Sequence, residues 1–362
     1  MSLFILNFTY LCDKINKKHL EVSQMKALGI ILIILILLTL TVIVFGFLVF
    51  RTAFGKRCNG DRRLKYLTCD DFEDLRCAPV SFKSDKGQIL KGALYITAGT
   101  VKPSALIIFS HGMGGGHRSY MTEINTFAKN GFAVLAYDNT GTFASEGKSL
   151  VGFYQGVRDL KSAIKWANSN EKFNGLKKIL VGHSWGGYSV CQNLADKDLG
   201  ISGAVAFSAP DSGYQVVTGF LGEKMGFLNP LFKFVFYLAD DRKALIKCSD
   251  ILGSLTSPPV LLMHGDSDSV VTPVNSPMSS AKVKTNPHIT SIMYEGRFHN
   301  VYQTKESEEY LNNVFAGINT LKKIKNPTKE EIDYCYDIDY DLITREDPAV
   351  MQTVINFIKN CI

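Results

Sequence analysis

The chain has 362 residues, of which 46% are hydrophobic and 20% charged, and carries a formal net charge of +6. That composition excludes a disordered chain and allows a large buried core. No Lys/Arg tract is long enough for a nucleic-acid surface and no Cys/His spacing is of the zinc type, so nucleic acid, metal, cofactor and an obligate protein partner are not expected.

Residues 1–26 form a mixed apolar and basic leader. Ala27 to Phe50 follow, 24 residues without a charge. As a helix this run reaches about 36 Å at ~1.5 Å per residue, enough for a hydrocarbon core of about 30 Å. A cleaved signal peptide is the competing reading. A signal's apolar region, however, usually spans about 7–15 residues and ends at small residues, whereas this one ends in Phe50-Arg51-Thr52-Ala53-Phe54. A single-pass anchor over 27–50 is the expectation. Its flanks carry Lys14, Lys17, Lys18 and Lys26 before it, against Arg51, Lys56, Arg57, Arg62, Arg63 and Lys65 after it. That excess favours a cytoplasmic location for the part of the chain after the anchor. Cys58, Cys69 and Cys77 cluster just beyond the anchor and would be free to form a disulfide outside the cell.

Residues 51–77 read as a polar juxtamembrane linker and residues 78–362 as one folded domain. Val80–Lys83 and Ile89–Tyr95, separated by Asp85-Lys86-Gly87, read as a β-hairpin. Strand 105–110, helix 120–130, strand 133–137, helix 152–168, strand 178–181, helix 187–195 and strand 203–207 then alternate. Such alternation implies an α/β architecture, a mostly parallel central sheet with helices on both faces. Ligands in these sheets bind beyond the carboxyl ends of the strands. From about 208 to 259 the alternation breaks into a stretch too long for a loop and too apolar to be left in water. Strands 260–263 and 291–294 resume the series. A second excursion runs from Tyr302 to about Pro348, with an acidic, tyrosine-rich part at 333–341 read as a solvated surface element. A last helix spans 349–362.

Gly182-His183-Ser184-Trp185-Gly186 joins the strand at 178–181 to the helix after it. A serine hydroxyl is a poor nucleophile and must be presented to both a base and a substrate; a sharp strand-to-helix turn flanked by glycines does this. Asp268 and His299 follow, each just past a predicted strand, giving the chain order serine, acid, histidine. The other histidines are less suited. His19 precedes the anchor, His111, His183 and His264 sit at strand ends, and His288 lies at the wrong end of the sheet.

On these residues the chain resembles the α/β-hydrolase superfamily over roughly 80–362, nearest to lid-bearing serine esterases and lipases of the monoacylglycerol-lipase type. His111-Gly112-Met113-Gly114-Gly115-Gly116 is similar to the family's oxyanion loop. Tyr137-Asp138 with Gly141, Ser145 and Gly147 is similar to its Asp-x-x-Gly-x-x-x-Ser-x-Gly stretch, although Asn139-Thr140 stands where many relatives carry an arginine. The resemblance implies an α/β-hydrolase fold with a helical lid at about 208–259, and Ser184 as nucleophile with His299 as base. The family's His-Gly-x-x-Asp spacing selects Asp268 over Asp266 as the acid. It also implies backbone N–H donors at Met113 and Trp185 for the oxyanion. His117, near that loop, and Phe220 and Phe227, in the lid, are candidate substrate contacts. His264, Asp266 and Asp268 alternate as metal ligands can, but no carboxylates cluster nearby and a metal site is not expected. The function so implied is cleavage of carboxylic, lipid-like acyl esters. A serine aminopeptidase is the second reading and would need Glu223, Asp240 or Asp241 to hold a substrate amine; an inactive membrane-tethered binding protein is the third.

Overall fold

The computed structural model describes residues 2–362, with the side chains of residues 14, 17–222 and 224–362. The chain divides into two compact units, 1–49 and 50–362. Helix α1, Ser2–Phe54, runs unbroken through the positions expected for the leader and the anchor. Among the described residues it is the one helix long and apolar enough to cross a membrane. Glu223, one of the candidate lid carboxylates, has its side chain outside the described residues.

The second unit is built on eight strands: β1 Leu75–Lys83, β2 Ile89–Thr97, β3 Ala105–Ser110, β4 Ala133–Tyr137, β5 Lys177–His183, β6 Ile201–Phe207, β7 Val260–Gly265 and β8 Ile289–Tyr294. They form one sheet in the order β1-β2-β4-β3-β5-β6-β7-β8. The β1–β2 hairpin pairs antiparallel and joins β4 antiparallel; every pairing from β4 to β8 is parallel. All residues of β3, β4 and β7 are buried, which is why these segments read as unbroken apolar runs. Each Leu, Ile or Phe so placed contributes about 1.5–3 kcal/mol. Edge strand β8 has no fully buried residue and mixes half-buried with exposed positions instead.

Connecting helices are α2 Met121–Lys129, α3 Gln155–Asn168 and α4 Trp185–Asn193. The excursion after β6 folds as α5 Gly213–Leu221, α6 Asn229–Ala239 and α7 Cys248–Gly253, with 3-10 turns between them. Helix α8, Ala281–Lys284, precedes β8, and α9 Lys305–Leu321, α10 Lys329–Tyr336, α11 Tyr340–Ile343 and α12 Pro348–Asn360 follow it. The acidic stretch thus falls on α10 and α11, where the Tyr336 hydroxyl donates to Asp61 at 2.7 Å.

Residues 51–77, expected as a linker, lie on the second unit. The Arg57 guanidinium donates to the carbonyls of Phe143, Ser145 and Gly147, the Cys58 N–H donates to the Gly141 carbonyl, and Cys69 and Cys77 form a disulfide. Cys58 remains a free thiol. The chain leaves β3 for β4 on one side and returns to β5 on the other, so the crevice beyond β3 and β5 lies where the strand order reverses.

Candidate active site

Ser184 is the single residue between β5 and α4. It holds φ 55° and ψ −115°, a conformation that non-glycine residues seldom adopt. Its N–H donates to the Phe207 carbonyl at 2.8 Å, and its carbonyl accepts from Tyr188 N–H at 2.9 Å, so the neighbouring strand and the following helix fix the turn. The flanking glycines have a steric reason. A Cβ on Gly186 would lie 1.9 Å from the Ser110 carbonyl oxygen, and one on Gly182 would lie 2.5 Å from the Gly186 backbone.

Past β7, Asp268 is buried, and its Oδ1 accepts the N–H groups of Val270 and Val271 at 2.9 Å each. Its Oδ2 lies 2.8 Å from His299 Nδ1 and 3.2 Å from His264 Nε2. Burial pushes this carboxyl up, but hydrogen bonds from His264 and His299 and the charge of His299 outweigh it, holding the group well below the usual carboxylate range. Asp266, two residues earlier, is exposed and holds the turn after β8, accepting from the Ser267 hydroxyl at 2.9 Å and Gly296 N–H at 2.8 Å.

His299 is held in place by its main chain. Its carbonyl accepts from the Ser208 hydroxyl at 2.6 Å and from His183 Nε2–H at 3.1 Å. The N–H groups on either side, of Phe298 and Asn300, donate to the buried carboxylate of Glu308. Farther back, Gly112 N–H donates to the Tyr120 oxygen at 3.0 Å, and the Tyr120 hydroxyl donates to His183 Nδ1 at 2.8 Å. That chain needs a neutral His183. Burial, and then the neighbouring His299, push its pKa well below the usual histidine value. Tyr120, Ser208 and Glu308 have no local sequence signature, because each acts on a partner 63 residues away or on a main-chain atom.

Ser184 and His299 line one cavity of about 210 Å³, together with Met113, Phe153, Trp185 and Phe220. Among the described residues the Ser184 hydroxyl makes no hydrogen bond to His299; the two meet as walls of this cavity, and such contacts commonly tighten only around substrate. The structure places two of the expected substrate contacts away from this cavity. His117 is buried with Nδ1 at 2.8 Å from Asp138 Oδ1, which pins the loop to the end of β4, and it is not part of the cavity wall. Phe227 is 73% exposed and stands outside the cavity. Among the described residues no cluster of three or more His, Cys, Asp or Glu is arranged for a metal ion.

Comparison with known proteins adds the following. The family profile described as "Serine aminopeptidase, S33" matches residues 101–240. The quorum-quenching protein AidA of Acinetobacter baumannii (strain MDR-ZJ06) is 28% identical over 122 residues, which are 33% of this chain and only 40% of that protein. The uncharacterized protein YfhR of Salmonella typhi is 24% identical over 245 residues, covering 62% of this chain and 78% of its own length. Among solved structures, the Pyrococcus furiosus esterase Pf2001 superposes with a TM-score of 0.53 at 21% identity, over 75% of this chain and 99% of that one. At that identity the likeness speaks for the fold.

Proposed function

We propose that this chain, which has the α/β-hydrolase fold, is a membrane-anchored serine hydrolase that cleaves carboxylic esters through Ser184, His299 and Asp268. The observation that carries the reading is the 2.8 Å contact of Asp268 with His299, on the wall of the cavity that His299 shares with Ser184. His299 Nε2 takes the serine proton as the hydroxyl oxygen attacks the acyl carbon, and Asp268 on Nδ1 keeps the imidazole in the required tautomer and stabilises its charged form. The oxyanion is received by the main-chain N–H groups of Trp185 and Met113; Trp185 opens α4, where an N–H has no partner within the helix. His299 then protonates the leaving alcohol, and water cleaves the acyl-enzyme by the same relay. A cavity of about 210 Å³ is below the roughly 300–1,000 Å³ of drug-sized sites, which favours one acyl arm over a bulky peptide.

The aminopeptidase reading needs a carboxylate facing that cavity. Asp240 instead accepts the N–H groups of Phe153 and Tyr154, and Asp241 pairs with Arg158. Full-length protein in detergent should hydrolyse a p-nitrophenyl ester series and react with a fluorophosphonate, and should leave aminoacyl anilides intact. Folded protein that cleaves the anilides and none of the esters would reverse this assignment.

Retention of the anchor is supported by Phe50 and Phe54, which are 7% and 1% exposed in the catalytic unit. Cleavage beyond the apolar run would remove side chains that this unit buries. The flanking charges favour the cytoplasm by only two residues, six against four, whereas a Cys69–Cys77 disulfide needs an oxidising compartment. The disulfide carries more weight, and we place the catalytic unit on the outer side. A membrane-impermeant amine reagent should tag it on intact cells; tagging only after permeabilisation would return it to the cytoplasm.

A further inference from the structure

We infer that helix α6 lies in the membrane interface, so that the catalytic cavity draws its substrate from the bilayer and not from water. The inference rests on the reading of the N-terminal run as a retained membrane span. Phe50 is the last residue of that run. Its ring meets Phe236 of α6 edge-on, with centroids 5.2 Å apart, and the next aromatic, Phe54, meets Phe236 at 6.0 Å and Phe153 at 6.2 Å. Phe153 is a wall of the catalytic cavity and takes the Trp185 indole N–H on its carbonyl at 2.6 Å. A contiguous set of rings therefore joins the point where the chain leaves the hydrocarbon to the residue that follows the proposed nucleophile.

Helix α6 is tied into this set at its carboxyl end as well. Asp240, its C-cap, accepts Phe153 N–H at 2.7 Å and Tyr154 N–H at 3.1 Å. Through Phe236 the helix packs on Phe50, the last residue of the proposed span. Its sequence suits that position. The inward face buries Phe232, Val235 and Phe236, while Phe234, Tyr237 and Leu238 are 45%, 41% and 53% exposed. Those three positions follow the i, i+3, i+4 spacing of a single helical face. An 11-residue helix apolar on both faces, with Lys233 its one charge, is poorly matched to water on its outer side but well matched to lipid. Basic residues fringe the stripe: Lys233 is exposed beside Phe234, and the Arg242 guanidinium lies 4.9 Å from the centre of the Tyr237 ring. Cations beside an apolar helical face are the arrangement that settles helices at a phospholipid headgroup layer. The ligand class that follows is an amphiphilic acyl ester resident in the bilayer, its acyl arm entering the cavity beside Val216 and Phe220 of α5.

The test uses the full chain reconstituted into phosphatidylcholine vesicles whose acyl chains carry bromine. Phe234→Trp should lose at least half of the emission it adds over the parent protein, whose Trp166 and Trp185 serve as background. Val101→Trp, at the exposed turn before β3 and at the opposite end of the sheet from the site, should lose almost none. Quenching at 234 no stronger than at 101, in protein that still reacts with a fluorophosphonate and resists carbonate extraction, would overturn the inference while leaving the hydrolase reading and the anchor intact. Kinetics supply a second measure. Phe234→Ser with Leu238→Ser should lower kcat/KM at least fivefold for a monoacyl ester presented in vesicles and leave hydrolysis of soluble p-nitrophenyl acetate unchanged. Equal kinetics on the vesicle substrate would count against it, and if the serine variant loses both activities, the tryptophan variant, which keeps the helix apolar, decides.

Discussion

Ser184→Ala should abolish covalent labelling by a fluorophosphonate and lower ester hydrolysis by on the order of 10⁴-fold or more, with little change in thermal stability. The stability half of this expectation follows from the turn. Ser184 holds φ 55° through its main chain, with its N–H on Phe207 and its carbonyl on Tyr188. Alanine keeps both bonds and suffers the same backbone strain, so the substitution removes one oxygen and little else. The activity half follows from the surroundings. The Ser208 hydroxyl also lies near His299, but it is buried and donates to the His299 carbonyl at 2.6 Å, away from the ring. It cannot give its proton to the imidazole without breaking that bond. What survives in the variant should be the modest catalysis available from the oxyanion donors and substrate binding alone. Labelling that persists at the parent rate, mapped to another residue by mass spectrometry, would remove Ser184 from the mechanism.

The strands at 105–110 and 133–137 were legible because sheets covered on both faces leave unbroken apolar runs. The turn at Ser184 was legible because its glycines answer to contacts within a few residues or one strand away. The start of β1 was not. Leu75 begins it, yet an edge strand exposed at Arg76, Cys77, Ala78 and Pro79 shows no clear alternation before Val80. Residues 51–77 look like a spacer because they are polar, while what they do depends on partners far along the chain: Arg57 on carbonyls at 143, 145 and 147. The supports of His299 are of the same kind. Glu308 and Ser208 act on main-chain atoms, so no side-chain pattern announces them. His117 is the converse case, since nearness in sequence to the loop after β3 says nothing of where a ring points. Asp138 draws it away from the cavity.

Asp268→Asn should lower kcat by on the order of 10³–10⁴-fold, whereas Asp266→Asn should stay within roughly threefold of the parent, as for a surface substitution. The argument turns on which end of an amide can face which partner. Oδ1 of Asp268 receives two main-chain N–H groups, from Val270 and Val271 at 2.9 Å. In asparagine the carbonyl must take that place, and the NH₂ then points at His299 Nδ1 and His264 Nε2, which sit 2.8 and 3.2 Å from the present Oδ2. His299 can accept from that NH₂ only by moving its proton to Nε2, the nitrogen that must be free to take the serine proton. Charge is lost as well, and with it the stabilisation of the imidazolium. The Asp268 carboxyl titrates below the ordinary carboxylate value, so its contribution to stability is complete above the unfolded-state value and is lost only as pH falls through the lower folded-state one. It remains ionised wherever activity is measurable. The parent should therefore lose no activity through this group's own titration in the neutral range. Crystals of the variant that keep the geometry of the His299 loop would confirm that the loss lies in the tautomer. An Asp266→Asn enzyme as impaired as Asp268→Asn would instead make the exposed carboxylate the partner of the base, and the buried one a structural group.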